Sequence, residues 1–290
     1  MKASKGEKIF YALNYCFLFT IALSCLLPFL HIMAVSVSGQ GPVISGRVGI
    51  IPMEFTLESF ILLLNGTPVV NAFRNSLVIT VVGVVLSMIA TTLAAYPLSR
   101  SYFYCRKFLT LFCVFTMLFS GGLIPSYLVV RNLGLVNTYW ALWLPGIVST
   151  YNMLIMRTFF VNIPSELEEA ARIDGCNEVQ LLFRIFLPLS LPVLATLSLF
   201  YGVGYWNAFM SVLIYIIDTS KHNLSVLINN MIRNQTFLTQ QYVQIEDMVL
   251  VPPEGVRAAG IMVMIIPMLC VYPLLQKYFV KGTMLGSIKG

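Results

Sequence analysis

Apolar residues in this chain are massed in six long runs, separated by short polar intervals. The runs extend from about Ile9 to Val37, Ser76 to Ser99, Phe108 to Val130, Tyr139 to Met156, Leu189 to Ile217 and Ala258 to Gln276. A helix needs about 20 apolar residues to cross a hydrocarbon core, so each run is long enough to span one. The pattern predicts an all-α membrane protein with six transmembrane helices. With no internal repeat and no low-complexity linker, residues 1–290 read as a single membrane domain.

The polar intervals differ in character. Residues 38–75 hold Gly39, Gly41, Pro42, Gly46, Gly49 and Pro52, a cluster that predicts turns over one membrane face. Residues 218–255 are polar except for Leu224 to Ile232, which is too short to span and predicts a short surface helix capped by Asn223. The interval 162–188 is charged and carries the clearest local signals in the chain.

In that interval Ser165 and Glu168 have capping-box spacing, and Glu166, Glu168 and Glu169 crowd a first turn where the helix dipole favours negative charge. Gly175 supplies the left-handed position that ends many helices. Asn177 and Gln180 then have the spacing of a second capping box, leading to Pro188. The prediction is a helix, a glycine corner and a second amphipathic helix entering the membrane. Leu167, Ala170, Ala171 and Asp174 fall on one helical face, where paired alanines would let another surface approach the backbone. The plainer alternative is a solvated hairpin held by an i,i+4 pair between Glu168 and Arg172, worth about 0.2 to 0.5 kcal/mol.

Composition agrees with the pattern: 58% of residues are hydrophobic and 10% charged. Soluble domains carry about a quarter charged residues. Basic residues cluster in one set of short segments, including Lys2, Lys5, Lys8, Arg100, Arg106, Lys107, Arg157, Arg172 and Lys277. The positive-inside rule then puts both termini and the 162–188 interval in the cytoplasm. The net charge of +6 sits beside span ends, where topology and anionic headgroups account for it without nucleic acid. The first run is longer than a signal-peptide core and reads as an uncleaved span. Six cysteines without a CxxC pair or a His/Cys cluster predict neither a disulfide framework nor a metal site.

Glu169-Ala170-Ala171, three residues, Gly175, nine residues, then Ile185-x-Leu187-Pro188 resembles the EAA loop of binding-protein-dependent ABC importer permeases. Every fixed position of that pattern is present. Trp206-Asn207 with Phe209, and the ending from Gln276 through Lys281-Gly282, are similar to MalG-type permeases of carbohydrate importers, and the whole chain is most similar to their LplC/YtcP group. The resemblance implies a type I, MetI-like fold of six spans with cytoplasmic termini, in a multi-pass subunit of the bacterial cell membrane. It implies four partners around this chain: a second homologous permease, a pair of ABC ATPase subunits holding ATP and Mg, an extracytoplasmic solute-binding protein, and a carbohydrate, an oligosaccharide or polysaccharide fragment. It also implies that Glu168, Glu169, Ala170, Ala171, Asp174, Gly175, Ile185, Leu187 and Pro188 form the ATPase-docking element, and that Lys281 and Gly282 touch the ATPase pair.

No G-x-x-x-x-G-K-[ST] phosphate loop occurs, so any ATP chemistry belongs to another chain. The central parts of the six runs carry no acidic or basic residue, unlike the relays of gradient-driven carriers. His31, near the outer end of the first run, reads as a packed or interfacial histidine. The outer carboxylates show no catalytic spacing, so no enzyme activity is expected. Asn152, Tyr205, Trp206 and Asn207 are candidate lining of a translocation path; the alternative is that they join helices. A secondary carrier and a noncatalytic scaffold are the competing functional readings.

Overall fold

The computed structural model of this chain describes residues 5–233 and 253–286. In order, the helices are α1 (Lys5–Ser36), α2 (Gln40–Ile44), α3 (Glu58–Gly66), α4 (Val69–Ser99), α5 (Arg106–Leu118), α6 (Leu123–Asn132), α7 (Trp140–Trp143), α8 (Thr150–Val161), α9 (Ser165–Ile173), α10 (Glu178–Leu181), α11 (Leu187–Leu189), α12 (Leu191–Trp206), α13 (Met210–Tyr215), α14 (Leu224–Arg233) and α15 (Pro253–Gly286). A π-helical turn, Leu182–Phe186, joins α10 to α11. No strand is present among the described residues.

Among the described residues three helices are long and apolar enough to cross a membrane, within α1, α4 and α15, or up to five if each of two bent helix pairs is one span. The run 108–130 is such a pair, α5 and α6, bent by 114°. Ser120, Gly121 and Gly122 occupy the bend, and Gly122 has φ +87°, a conformation that a side chain disfavours. The second pair bends by 82° at Ser190, between Leu189 and Leu191, where Pro188 and Pro192 each remove a backbone donor. The run 139–156 is not one helix. Pro145 and Gly146 form a 3₁₀ turn after α7, and α8 starts afresh with the Ser149 side chain accepting from the Asn152 amide. Hydropathy counts apolar residues but does not register these breaks.

The chain divides into two compact units, Met1–Val70 with Leu227–Ile266, and Asn71–Val226 with Pro267–Gly290. In the first unit α1 leaves Phe10, Phe17 and Phe19 exposed, an apolar surface suited to hydrocarbon. Its last turn is tied down: Ser38 Oγ donates to the Ala34 carbonyl at 2.6 Å and accepts from the Met53 amide at 3.1 Å. His31 Nδ1 lies 2.9 Å from the Gly49 carbonyl oxygen, so the histidine is held by the following loop.

The Asn223 cap forms, its Oδ1 accepting from the Val226 amide at 3.1 Å. The helix it starts is not a surface helix, however. Leu224, Val226, Ile228 and Met231 are almost fully buried, because the strongly one-sided α14 turns its apolar face inward. The remainder of the 218–255 interval, residues 234–252, lies outside the described residues.

Two apolar cores are described in the second unit. One gathers Ala95, Met153, Met156, Phe160, Ala171, Leu181, Phe186 and Leu197 around the 162–188 loop. The other packs Ile79, Ala141, Trp143, Val212 and Val226, with Trp143 Nε1 donating to the Ile79 carbonyl at 3.1 Å.

Candidate functional site

The 162–188 loop folds as a helix, a corner and a second helix. Helix α9 ends in a Schellman arrangement: the Gly175 amide donates to the Arg172 carbonyl at 3.1 Å and the Cys176 amide to the Ala171 carbonyl at 2.9 Å. Gly175 has φ +81°. The second capping box closes both ways, with the Gln180 amide donating to Asn177 Oδ1 at 2.9 Å and the Asn177 amide to Gln180 Oε1 at 3.0 Å.

The first capping box does not form. Pro164 is the N-cap residue of α9, without a side-chain cap, and Ser165 is already helical. Glu168 is drawn elsewhere. One oxygen takes Arg100 Nη1 at 2.6 Å and the other takes Arg172 Nη2 at 3.0 Å. A guanidinium brings a full positive charge that a backbone amide lacks, and it matches the carboxylate geometrically.

Arg100 is itself 7% exposed. Its Nη2 donates to the Phe160 carbonyl at 3.0 Å, its Nε to Ser99 Oγ at 2.9 Å, and its guanidinium lies 4.3 Å from the Phe186 ring centre. The end of α4 is therefore bolted to α8, α9 and the π turn through one side chain. Arg157 adds a second tie, donating from Nε to the Leu98 carbonyl at 2.9 Å.

A second network closes the corner. Glu178 accepts from Tyr96 at 2.8 Å, from Tyr102 at 2.9 Å, and from Arg172. Arg172 also donates to the Tyr102 hydroxyl at 2.9 Å. Burial, then the hydrogen bond to Glu178, pushes the Tyr102 hydroxyl up from its ordinary value, so it stays protonated and donating.

The expected face of α9 is divided by this packing. Ala171 is 6% exposed and belongs to the core beneath the loop, while Ala170, Leu167 and Asp174 remain exposed. Ala171 shares its buried cluster with Phe160 and Leu181. Ile185 and Leu187 likewise pack against the core, and Pro188 is exposed. What faces outward is Glu169, Ala170 and Ile173, the last 86% exposed, followed by Val179 and Phe183. The expected tail contact at Lys281 and Gly282 falls on α15, where side chains lie outside those described.

A cavity of about 330 Å³ with a mostly apolar wall lies in the same unit, its lining including Ser149, Asn152, Phe200, Tyr201, Tyr205 and Ser211. The Tyr205 hydroxyl pairs with Ser87 Oγ at 2.9 Å, and the Tyr201 hydroxyl with Thr91 Oγ1 at 2.7 Å. Tyr201 also accepts from the Ser149 amide at 2.9 Å. Of the four path candidates, Asn152 and Tyr205 line this cavity. Trp206 is buried against Phe73, ring centres 6.0 Å apart, and the Asn207 side chain donates to the Val203 carbonyl at 3.0 Å, finishing α12.

Sequence reading missed the Arg100 and Glu178 networks and the hydroxyl pairs. Ser87 with Thr91 and Tyr201 with Tyr205 have i,i+4 spacing, a signal available within otherwise apolar runs. Among the described residues no group of three or more His, Cys, Asp or Glu could hold a metal ion.

Comparison with known proteins agrees on the whole chain. The family described as binding-protein-dependent transport system inner membrane component matches residues 13–284. The chain is 42% identical to the polygalacturonan/rhamnogalacturonan transport system permease protein YtcP of Bacillus subtilis (strain 168), over 98% of this chain and 99% of that one. It is 41% identical to Protein LplC of the same organism, over 100% and 98%. A solved structure, that of a bacterial ABC transporter involved in the import of the acidic polysaccharide alginate, matches with TM-score 0.89 and 31% identity, over 96% of this chain and 99% of that chain.

Proposed function

Because the chain belongs to the binding-protein-dependent transport system inner membrane components, the noncatalytic permease subunits of ABC transporters, we propose that it carries a carbohydrate into the bacterial cytoplasm with energy from other chains. Six spans with cytoplasmic termini, a second permease, two ATPase subunits holding ATP and Mg, and an external binding protein complete the proposed importer. The cargo is an oligosaccharide or a polysaccharide fragment, the class for which YtcP and the alginate transporter are named.

One observation carries the coupling role: α9 is rigid behind and open in front. Glu168 and Ala171 fasten its inner face to α4, α8 and the core, while Glu169, Ala170 and Ile173 are exposed. An ATPase docked on Glu169, Ala170, Ile173 and Asp174 would push on a lever connected through Arg100 to a long apolar helix. Motion of packed helices passes through such discrete contacts. Gly175, Ile185, Leu187 and Pro188 shape and seat the lever. Lys281 and Gly282 supply the proposed tail contact, and Asn152 and Tyr205 line the proposed path with hydrogen-bonding groups suited to sugar hydroxyls.

The test is reconstitution with the partner permease, ATPase and binding protein in liposomes, scanning oligosaccharides for ATP-dependent uptake and ATPase stimulation. Glu169→Ala is expected to lower uptake per ATP hydrolysed while the chain still inserts. Gradient-driven uptake by this chain alone would overturn the reading in favour of a secondary carrier. Unchanged uptake by a complex lacking this chain would reduce it to a scaffold.

A further inference from the structure

Beside the loop, α4, α5, α8 and α9 border an open cavity of about 450 Å³ whose lining includes Arg100, Arg106, Lys107 and Arg157, with Ser101 and Ser165. The one carboxylate in the lining, Glu168, is committed to Arg100 and Arg172. Arg100 is likewise spent on Glu168 and the Phe160 carbonyl. The other three cations are not. Arg157 uses only Nε, on Leu98. Arg106 reaches the Arg100 carbonyl with Nη1 at 3.5 Å, the limit of a hydrogen bond. Lys107 is exposed and has no partner among the described residues.

Two helix starts add to this charge. Helices α5 and α9 begin at Arg106 and Ser165, both lining residues, and neither has a side-chain cap. Their first-turn amides and positive dipole ends favour an anion. Apolar surface adjoins the cavity: Val161 and Ile163 are part of the lining, and α5 continues from Lys107 into exposed Phe108, Leu111 and Phe112.

We propose that this cavity binds the phosphate of an anionic phospholipid headgroup, with the acyl chains laid along the exposed face of α5. Guanidinium groups and serine hydroxyls suit phosphate oxygens. Basic pockets between membrane helices on the cytoplasmic side take such headgroups. A free phosphate would use the cations but would leave Phe108, Leu111 and Phe112 unexplained. The site shares Arg100 and Glu168 with the clamp on α9, so a bound headgroup would tie that clamp to the membrane surface. The proposal needs the membrane setting, not the identity of the cargo or of the ATPase.

The experiment compares the full chain with Arg106→Gln/Lys107→Gln, Lys107→Gln alone, and Arg184→Gln, an exposed charge absent from the lining. Each is placed in nanodiscs of phosphatidylcholine with phosphatidylglycerol, and retained lipid is counted by native mass spectrometry. The double variant is expected to lose retained phosphatidylglycerol about tenfold or more, since each basic side chain near the surface contributes about a decade of affinity or somewhat less. The single variant should lose an intermediate amount and Arg184→Gln little. Equal retention by all four overturns the proposal. A second arm titrates inorganic phosphate into pure phosphatidylcholine discs, and Lys107-dependent thermal stabilisation there would reassign the site to a free phosphate. If the double variant keeps its lipid but loses co-purifying ATPase, the cations belong to a protein interface and the lipid site is refuted.

Discussion

Arg100 Nη1 meets Glu168 Oε2 at 2.6 Å, joining the residue that follows a 31-residue apolar helix to the first helix of the charged loop. Both side chains are largely buried, at 8% and 15% exposure. Removing one partner of a buried pair costs about 3 to 5 kcal/mol, because the other charge is left desolvated. Glu168→Ala should therefore lower the unfolding midpoint clearly in detergent. Glu169→Ala, on the exposed side, should stay within about 0.5 kcal/mol of the parent. Equal effects in thermal unfolding would contradict the two-sided account of α9.

The two alanines of the loop should separate stability from coupling. Ala171→Leu inserts methylenes into the buried cluster that also holds Phe160 and Leu181 and is expected to cost about 1 to 3 kcal/mol in stability. Ala170→Leu points outward, so thermal unfolding should be nearly unchanged while uptake by the assembled complex falls. A stable Ala171→Leu protein would show that the core beneath the loop is looser than described.

Gly175 needs its backbone freedom rather than its size. A Cβ there meets nothing within 4 Å, yet φ is +81°. Gly175→Ala should cost about 1 to 2 kcal/mol from the left-handed conformation alone, and Gly175→Asn less. Circular dichroism melts of the three proteins give the ranking.

Gly83 is a case of close approach. A Cβ at Gly83 would lie 2.8 Å from the ring of Tyr205, whose hydroxyl pairs with Ser87 Oγ at 2.9 Å. Gly83→Ala should displace Tyr205 and destabilise the chain by about 1 to 3 kcal/mol. Adding Tyr205→Leu should recover part of that loss if the two residues are coupled, which a double-mutant cycle measures.

The cavity beside Asn152 and Tyr205 gives a transport prediction. Asn152 is 5% exposed, and no side-chain hydrogen bond is found for it among the described residues. Asn152→Leu gives up no protein hydrogen bond of the side chain, so thermal unfolding should change little. Uptake should fall if the amide meets sugar hydroxyls. Unchanged uptake across an oligosaccharide panel would remove Asn152 from the path.

Local chemistry was legible where it depends on neighbours in sequence. Gly175 at the corner, the Asn177–Gln180 box and the Asn223 cap need only residues within three or four positions, and all are present. The Ser165–Glu168 box has the same spacing and does not form: Pro164 takes the N-cap place, and Glu168 pairs with Arg100, 68 residues away. Span integrity was read less well. Hydropathy does not weigh the Gly121–Gly122 or Pro188–Pro192 breaks against the apolar mass on either side.

The sequence by itself determined that this chain lives in a membrane, that its loop 162–188 is a helix, a glycine corner and a helix, and which family it belongs to. Those properties follow from apolar mass, backbone stereochemistry and a contiguous pattern, all readable in one dimension. Only the tertiary structure decided that Ala171 and Glu168 face inward while Ala170 and Glu169 face outward, and that Arg100 is the bolt between loop and α4. Helical periodicity limits which residues can share a face, but the direction of that face is set by partners distant in sequence. The strongest of those partners is a buried guanidinium that composition records only as one more positive charge.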